Sequence, residues 1–141
     1  MAKLDRGTKI YAAVLLALVA ALVVAVLYQP PEVRKLNSRL EADPLVSAFP
    51  YPFRVVRLEN GIAVMSTPRS TEVPVAEVLA RIFPEVSGAS PDSPRFQKAQ
   101  RRLAQAQKRA KALVVADSKV RGVRWELDRD WLIRHGIQPP S

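Results

Sequence analysis

The longest apolar segment of the chain lies near its N-terminus. Residues 10–28 read IYAAVLLALVAALVVAVLY, with no charged side chain and no proline. A helix rises about 1.5 Å per residue, so a helix of this length just crosses a hydrocarbon core of roughly 30 Å. The segment predicts a single transmembrane helix.

A cleaved signal peptide is the alternative interpretation of this segment. Signal peptides have a positive N-terminal region, which Lys3, Arg6 and Lys9 would supply, then an apolar stretch of roughly 7–15 residues and a small-x-small cleavage site. The apolar stretch is longer here and ends at Tyr28 and Gln29 before two prolines. We therefore favour an uncleaved anchor.

Basic residues on the two sides of the segment predict its orientation. The three in residues 1–9 favour a cytoplasmic N-terminus, whereas Arg34, Lys35 and Arg39 favour the opposite orientation. Because a short N-terminal tail usually stays inside, we expect a cytoplasmic tail and a periplasmic domain. This places the protein in a bacterial inner membrane.

The next residues predict a short helix and a connector. Residues 31–42 place apolar side chains at spacings of three and four among charged ones, which is typical of an amphipathic helix. Residues 44–52 contain three prolines and predict an extended connector.

A β-hairpin is predicted around Asn60 and Gly61. The apolar runs 53–58 and 62–67 flank this dipeptide, which suits the positive φ angles of a type I′ turn. A two-residue turn sets three pairs of opposite residues: Glu59 and Ile62, Leu58 and Ala63, Val56 and Met65.

Two helices are predicted after the hairpin. Residues 74–83 show apolar spacing of three and four, and residues 84–94 are a Pro- and Ser-rich loop. Ser93 and Pro94 are typical of a helix start, and the helix they begin extends to about residue 116. Its predicted core stripe is rich in alanine: Phe96, Ala99, Leu103, Ala106, Ala110 and Leu113.

A third strand and a short final helix complete the pattern. Val123, Trp125 and Leu127 alternate with polar residues, so they should face the core, and Trp125 is expected to contribute most to it. Asp128 or Asp130 can cap a last helix, with Gly136 at its C-terminal end.

Together these patterns predict an α+β protein. A single transmembrane helix precedes a small domain in which a β-hairpin, two helices and a third strand form a three-stranded sheet packed on helices. The predicted segments are a tail (1–9), the membrane helix (10–28), a juxtamembrane helix and linker (29–52), the domain (53–138) and a C-terminal tail (139–141).

The charge is unevenly distributed. The net charge is +9, and residues 95–111 contain seven Lys or Arg and no acid. This favours anionic partners, although a solvated helix face is the alternative interpretation. Phe96 is the only aromatic residue in the run, so the pattern does not favour nucleic acid, whose bases need stacking platforms.

Eight basic residues are candidate contacts to an anion or lipid. Arg69 lies in the loop 65–71, whose hydroxyls and main-chain N–H groups suit an anion. A turn capped by its own hydroxyls is the alternative interpretation of that loop. The complete set is Arg69, Arg95, Lys98, Arg101, Arg102, Lys108, Arg109 and Lys111.

Three segments together resemble the BON domain (bacterial OsmY and nodulation) family. They are the hairpin 55–65 around Asn-Gly, the alanine-rich stretch 104–116 and the strand VRGVRWEL at 120–127. The resemblance implies a small αββαβ module of the bacterial envelope that binds phospholipid surfaces. The chain departs from that pattern because residues 68–93, with an additional helix, separate the hairpin from the alanine-rich helix.

The residue types argue against a catalytic, metal or cofactor site. There is no cysteine, and His135 is the single histidine. It lies at a predicted helix C-terminus, where a protonated histidine interacts favourably with the helix dipole. Glu126, Asp128 and Asp130 lie among arginines, which favours ion pairing. No phosphate-binding loop or nucleophile motif is present.

The sequence therefore predicts a non-enzymatic, membrane-anchored envelope protein. Its basic domain is expected to bind an anionic membrane surface or a neighbouring protein. The alternative is an accessory or assembly subunit of a membrane complex, and an enzyme is less favoured. No cofactor is expected.

Overall fold

A computed structural model describes residues 5–141 and divides the chain into two compact units. The first ends at Pro30 and the second comprises Pro31–Ser141. The second unit has its own core, formed by residues between Val33 and Ile137.

The first unit is one helix, α1, from Arg6 to Leu27. Asp5 caps its N-terminus by accepting a 2.7 Å hydrogen bond from the Thr8 N–H. Among residues 5–141, α1 alone is long and apolar enough to cross a membrane, with a mean hydropathy of 3.0. A signal sequence near an N-terminus can also form a helix that meets this criterion.

The second unit is α+β, as predicted, with a three-stranded sheet. Its elements in chain order are α2 (Pro31–Ala42), α3 (Pro44–Ala48), β1 (Val55–Glu59), β2 (Ile62–Thr67), α4 (Val75–Ile82), a 3₁₀ turn (Pro84–Val86), α5 (Pro94–Val115), β3 (Gly122–Leu127) and α6 (Arg129–Arg134). The strand order is β1-β2-β3. Strands β1 and β2 are antiparallel, whereas β2 and β3 are parallel because α4 and α5 form the crossover between them.

The predicted hairpin turn is confirmed, but one of its strand pairs is wrong. Asn60 and Gly61 both have positive φ, 50° and 81°, as a type I′ turn requires. The pairs nearest the turn match the prediction. Further along β1 a bulge intervenes, so that Val55, and not Val56, lies opposite Met65.

The side chain of Asn37 on α2 holds the bulged end of β1. Its Oδ1 accepts from the Val55 N–H at 2.7 Å, and its Nδ2 donates to the Val55 carbonyl at 3.0 Å. The amide thus pairs with the outer edge of β1 as a neighbouring strand would. Helix α2 belongs to the compact unit for this reason and because Val33, Leu36 and Leu40 are buried.

The prediction of an extended connector at 44–52 is wrong. Residues Pro44–Ala48 form helix α3, because Asp43 caps it and Pro44 occupies its first turn. The residues after it also enter the core, where Phe49 and Tyr51 are buried.

Trp125 contributes less to the core than predicted. It is half-buried, because β3 is an edge strand, whereas Tyr51 and Trp131 are 0% and 6% exposed. The rings of Tyr51 and Trp131 pack edge to face with centroids 5.4 Å apart. The Tyr51 hydroxyl donates to Asp128 Oδ2 at 2.8 Å, and burial raises the pKa of Tyr51.

Asp128 also begins the last helix. Its Oδ1 accepts from the Trp131 N–H at 3.1 Å, so it is the N-cap of α6 as predicted. One carboxylate therefore joins the end of β3, the start of α6 and the buried Tyr51.

Helix α5 has an alanine-rich stripe on its buried side, and the prediction is confirmed at five of its six positions. The stripe consists of Phe96, Ala99, Leu103, Ala106, Ala110 and Val114. The prediction of Leu113 as its last member is wrong, because Val114 is the buried residue there and Leu113 is only half-buried. Small side chains allow the helix to lie close to the sheet and to α2 and α3.

Two adjacent valines test which side of α5 faces the core. Val114 is 1% exposed and Val115 is 40% exposed. We expect Val114→Ala to lower the free energy of unfolding by about 1.5–3 kcal/mol through lost burial and a cavity. The matched Val115→Ala should change it by less than about 0.5 kcal/mol. Chemical denaturation measures both, and equal losses would contradict this placement.

Candidate functional site

The strongest concentration of charge in the domain is on helix α5. We call its seven basic residues the basic face: Arg95, Lys98, Arg101, Arg102, Lys108, Arg109 and Lys111. All seven are exposed, and the helix contains no acid. They cover the sides of α5 that the apolar stripe leaves to solvent.

The basic face has two parts, because α5 has about 3.6 residues per turn. The flank group is turned toward α3 and the 3₁₀ turn and comprises Arg95, Lys98, Arg102 and Arg109. The outer group comprises Arg101, Lys108 and Lys111 and projects from the rest of the exposed surface of the helix.

The flank group contacts other parts of the domain. The Arg102 guanidinium lies over the Phe83 ring, 4.4 Å from its centroid, a cation–π contact. Arg95 donates to the Glu85 carbonyl at 3.3 Å. Together with Lys98 they line a cleft of about 180 Å³ against Phe83 and Val86.

Arg109 has a structural partner. Its Nη2 and Nε lie 2.8 and 3.1 Å from Asp43 Oδ1. Asp43 is only 8% exposed, and its Oδ2 accepts from the Val46 N–H at 3.1 Å. The Arg109 guanidinium and then this N–H hold the pKa of Asp43 below its usual value. Arg109 therefore fixes α5 to the start of α3.

The outer group has no such partner. Within residues 5–141, none of its three side chains forms an ion pair with Asp or Glu. These charges are exposed, so an external anion could contact them without breaking an ion pair of the domain.

Arg69 lies at a separate place, the cleft at the carboxyl ends of β2 and β3. The cleft has a volume of about 490 Å³. The side chains that line it are Thr67, Arg69, Ser70, Thr71, Val73, Val75, Val78, Gln100, Gln107 and Trp125. Gln100 and Gln107 lie on one flank of α5, and the flank group lies on the other. The structure therefore separates Arg69 from the flank group.

Two of the loop hydroxyls are used to shape the loop itself. Thr67 Oγ1 accepts from the Arg69 N–H at 3.2 Å and donates to Gln107 Oε1 at 3.0 Å. Ser70 Oγ accepts from the Glu72 N–H at 3.1 Å. This matches the alternative interpretation of a self-capped turn, although the Arg69 side chain is exposed.

Ion pairs form on the outer face of the sheet, and the ion pairing expected for Glu126 is observed. Glu126 on β3 pairs with Arg57 on β1 at 2.7 Å, across β2. Arg124 reaches Glu59 at 3.5 Å. The sequence did not identify these partners, because pairs between strands depend on strand register. Arg57 also contacts Glu59, two positions away, at 2.6 Å.

His135 is exposed at the C-terminal end of α6. Its ring stacks on Trp131 with centroids 4.2 Å apart, and its Nδ1 lies 2.7 Å from the Trp131 carbonyl. In the part of the chain that the structure describes, no three His, Cys, Asp or Glu side chains are grouped for a metal ion.

Comparison with protein-family models, with curated proteins and with solved structures finds no match. The resemblance to BON domains therefore stays a prediction. Function is inferred from the charge and geometry of the domain.

The Asp43–Arg109 pair predicts a pH dependence of stability. Folding lowers the pKa of Asp43 from its ordinary value of 3.8, so the charged carboxylate stabilises the fold at pH values above 3.8. This contribution to stability is lost as the pH falls through the lower pKa that Asp43 has in the folded state. Asp43→Asn should destabilise the protein at about pH 6, and its difference from wild type should shrink toward about pH 3. Urea denaturation at several pH values measures this.

The exposed Asp92 provides the control, since it belongs to none of the ion pairs among residues 5–141. Asp92→Asn should differ little from wild type across the same range. A pH-independent difference for Asp43→Asn would show that the ion pair is not what the carboxylate contributes.

Proposed function

We propose that this chain is a single-pass membrane protein whose basic domain binds an anionic phospholipid surface. The observation that carries the proposal is the outer group of α5, three exposed basic residues on an acid-free helix. Each Lys or Arg close to an anionic bilayer contributes about 1 kcal/mol. Three together are enough to retain a domain that is already tethered.

The tether is α1. Its length and hydropathy support a membrane span, and Tyr28 just beyond it suits the interface, where aromatic residues are enriched. We place the protein in a bacterial inner membrane, with a cytoplasmic N-terminus and the domain in the periplasm. The basic N-terminal residues support this orientation.

The order of the domain's elements supports the likeness to BON domains. Helix α2, strands β1 and β2, helix α5 and strand β3 occur in the order α-β-β-α-β, with α3 inserted after α2, and with α4 and the 3₁₀ turn inserted before α5. A shared order does not by itself establish a shared function.

The function we propose needs no catalysis. The groups that line the Arg69 cleft include one charged side chain, Arg69, and no acid, histidine or cysteine. A single guanidinium among hydroxyl and amide side chains suits the binding of an anion.

The anchor can be tested by placing charges in α1. We expect the wild-type chain to stay with membranes after alkaline carbonate extraction. Leu18→Arg combined with Leu22→Arg should release it, because each Arg near the centre of a span costs about 2.5–3.5 kcal/mol. Thr8→Arg, at the end of the helix, is the control and should stay with the membrane. Recovery of wild-type protein from the aqueous fraction, beginning past Tyr28, would exclude the anchor.

Surface binding can be tested on residues 31–141, which form a unit with its own core. These residues should bind vesicles that contain anionic lipid, and salt should weaken the binding. Replacing Arg101, Lys108 and Lys111 with glutamine should lower the partition coefficient about a hundredfold. Each of the three residues contributes about 1 kcal/mol to the free energy of binding. Vesicle co-sedimentation provides the measurement.

A control variant has the same change in net charge. Glutamine replaces Arg54, Arg81 and Arg134, which are exposed elsewhere in the domain. Binding should fall much less in this variant. Equal binding to neutral vesicles, or equal losses in the two variants, would refute a specific role for the outer group.

A further inference from the structure

The two edges of the sheet differ. At the outer edge of β1, the main-chain N–H and carbonyl of Val55 are paired with the amide of Asn37. Strand β3 pairs only with β2, and no other segment of residues 5–141 donates to or accepts from the main chain of 122–127. An exposed edge of this kind is a template for another strand.

The side chains of β3 are partly uncovered on both faces of the sheet. Val123, Trp125 and Leu127 pack against the core but remain half-buried. Arg124 and Glu126 are exposed on the opposite face. A strand added beside β3 would bury apolar surface on one face and meet both charges on the other.

The sequence of β3 is self-complementary around Trp125. Arg124 precedes this residue and Glu126 follows it. If two β3 strands lie antiparallel about a twofold axis at Trp125, each Arg124 lies opposite Glu126 of the partner subunit. Directly opposite residues have Cβ atoms about 4.5–5.5 Å apart, and opposite charges there are stabilising.

We propose that β3 is an interaction surface for a second copy of this chain. The two sheets join at β3 into one six-stranded sheet, with the same strand contributed by both copies, as an isologous interface requires. Val123 then lies opposite Leu127 of the partner subunit, and the two Trp125 side chains meet at the axis.

Neighbouring registers are disfavoured by charge. Sliding one strand by two residues in one direction puts Arg124 opposite the partner's Arg124, and sliding it in the other direction puts the two Glu126 side chains together. Like charges directly opposite are destabilising. The contacts within each copy, from Arg57 to Glu126 and from Glu59 to Arg124, hold both side chains on this face. A carboxylate has acceptor sites for a second donor.

The surface is small, so the pairing should depend on a shared membrane. One edge strand buries less than the roughly 1,000 Å² of a stable protein interface. Confinement of both copies to one bilayer raises their effective concentration. The inference therefore rests on the tether in the proposed function, but it does not require anionic lipid.

The test uses the full chain in vesicles of neutral lipid. The chain has no cysteine, so Ser141→Cys provides a single site for donor or acceptor dyes. Energy transfer between copies should exceed that expected from random proximity and should rise with the protein-to-lipid ratio. Arg124→Glu and Glu126→Arg should each weaken association about tenfold, because each makes two like-charge pairs.

Mixing the two variants distinguishes register from misfolding. Donor-labelled Arg124→Glu and acceptor-labelled Glu126→Arg form opposite-charge pairs across the axis, so energy transfer between them should return toward wild type. Arg134→Glu, on α6, is the control and should have no effect.

Three results would overturn the proposal. They are random energy transfer in wild type, transfer that neither charge reversal changes, and variants with unaltered circular dichroism that fail to associate when mixed. The second of these would assign association to α1 or to another surface. Because the vesicles are neutral, the outcome is separate from that of the anionic-surface test.

Discussion

The apolar stripe of helix α5 is the constraint on which the rest of the domain depends. Alanine at three of its six buried positions lets the helix lie close to the sheet and to helices α2 and α3. The stripe also fixes the rotation of α5 about its axis, so that the basic side chains lie on its exposed sides. Packing of the core and display of charge are therefore two consequences of one helix orientation.

One ion pair makes that orientation specific. Asp43 is nearly buried whereas the Arg109 side chain is half exposed, so removing Arg109 would leave a buried carboxylate without its charged partner, which is costly. Arg109 and Asp43 thus hold α5 in position against α3, while Arg101, Lys108 and Lys111 have no acidic partner in the part of the chain that is described. Seven residues of similar chemistry on one helix consequently differ in role, and this difference identifies the side of α5 that a membrane surface would meet.

Local patterns predicted most elements, and tertiary contacts account for what they missed. The Asn60-Gly61 turn, the stripe of α5, the alternation of β3 and the Asp128 cap follow from spacing and backbone preference. The bulge at Val55 depends on Asn37, eighteen positions earlier in the chain, and the partners of Arg57 and Arg124 depend on strand register. Helix α3 was missed because three prolines suggested an extended chain, although Asp43 and Pro44 are a typical helix start. For the site, the basic run was visible in the sequence, but its division into a flank group and an outer group required the packed neighbours of α5.

The most direct test of the account is to find which side of α5 meets an anionic bilayer. An environment-sensitive dye can be attached to single cysteines at Ala104 and Ala112, which are exposed on α5 among the outer group, and at Ala76, which is exposed on α4. None of these substitutions changes a charge. On addition of anionic vesicles, the dyes at 104 and 112 should shift to shorter wavelength and the dye at 76 should not. Binding that shifts only the dye at 76, or all three equally, would contradict a surface defined by the side of α5 opposite its apolar stripe.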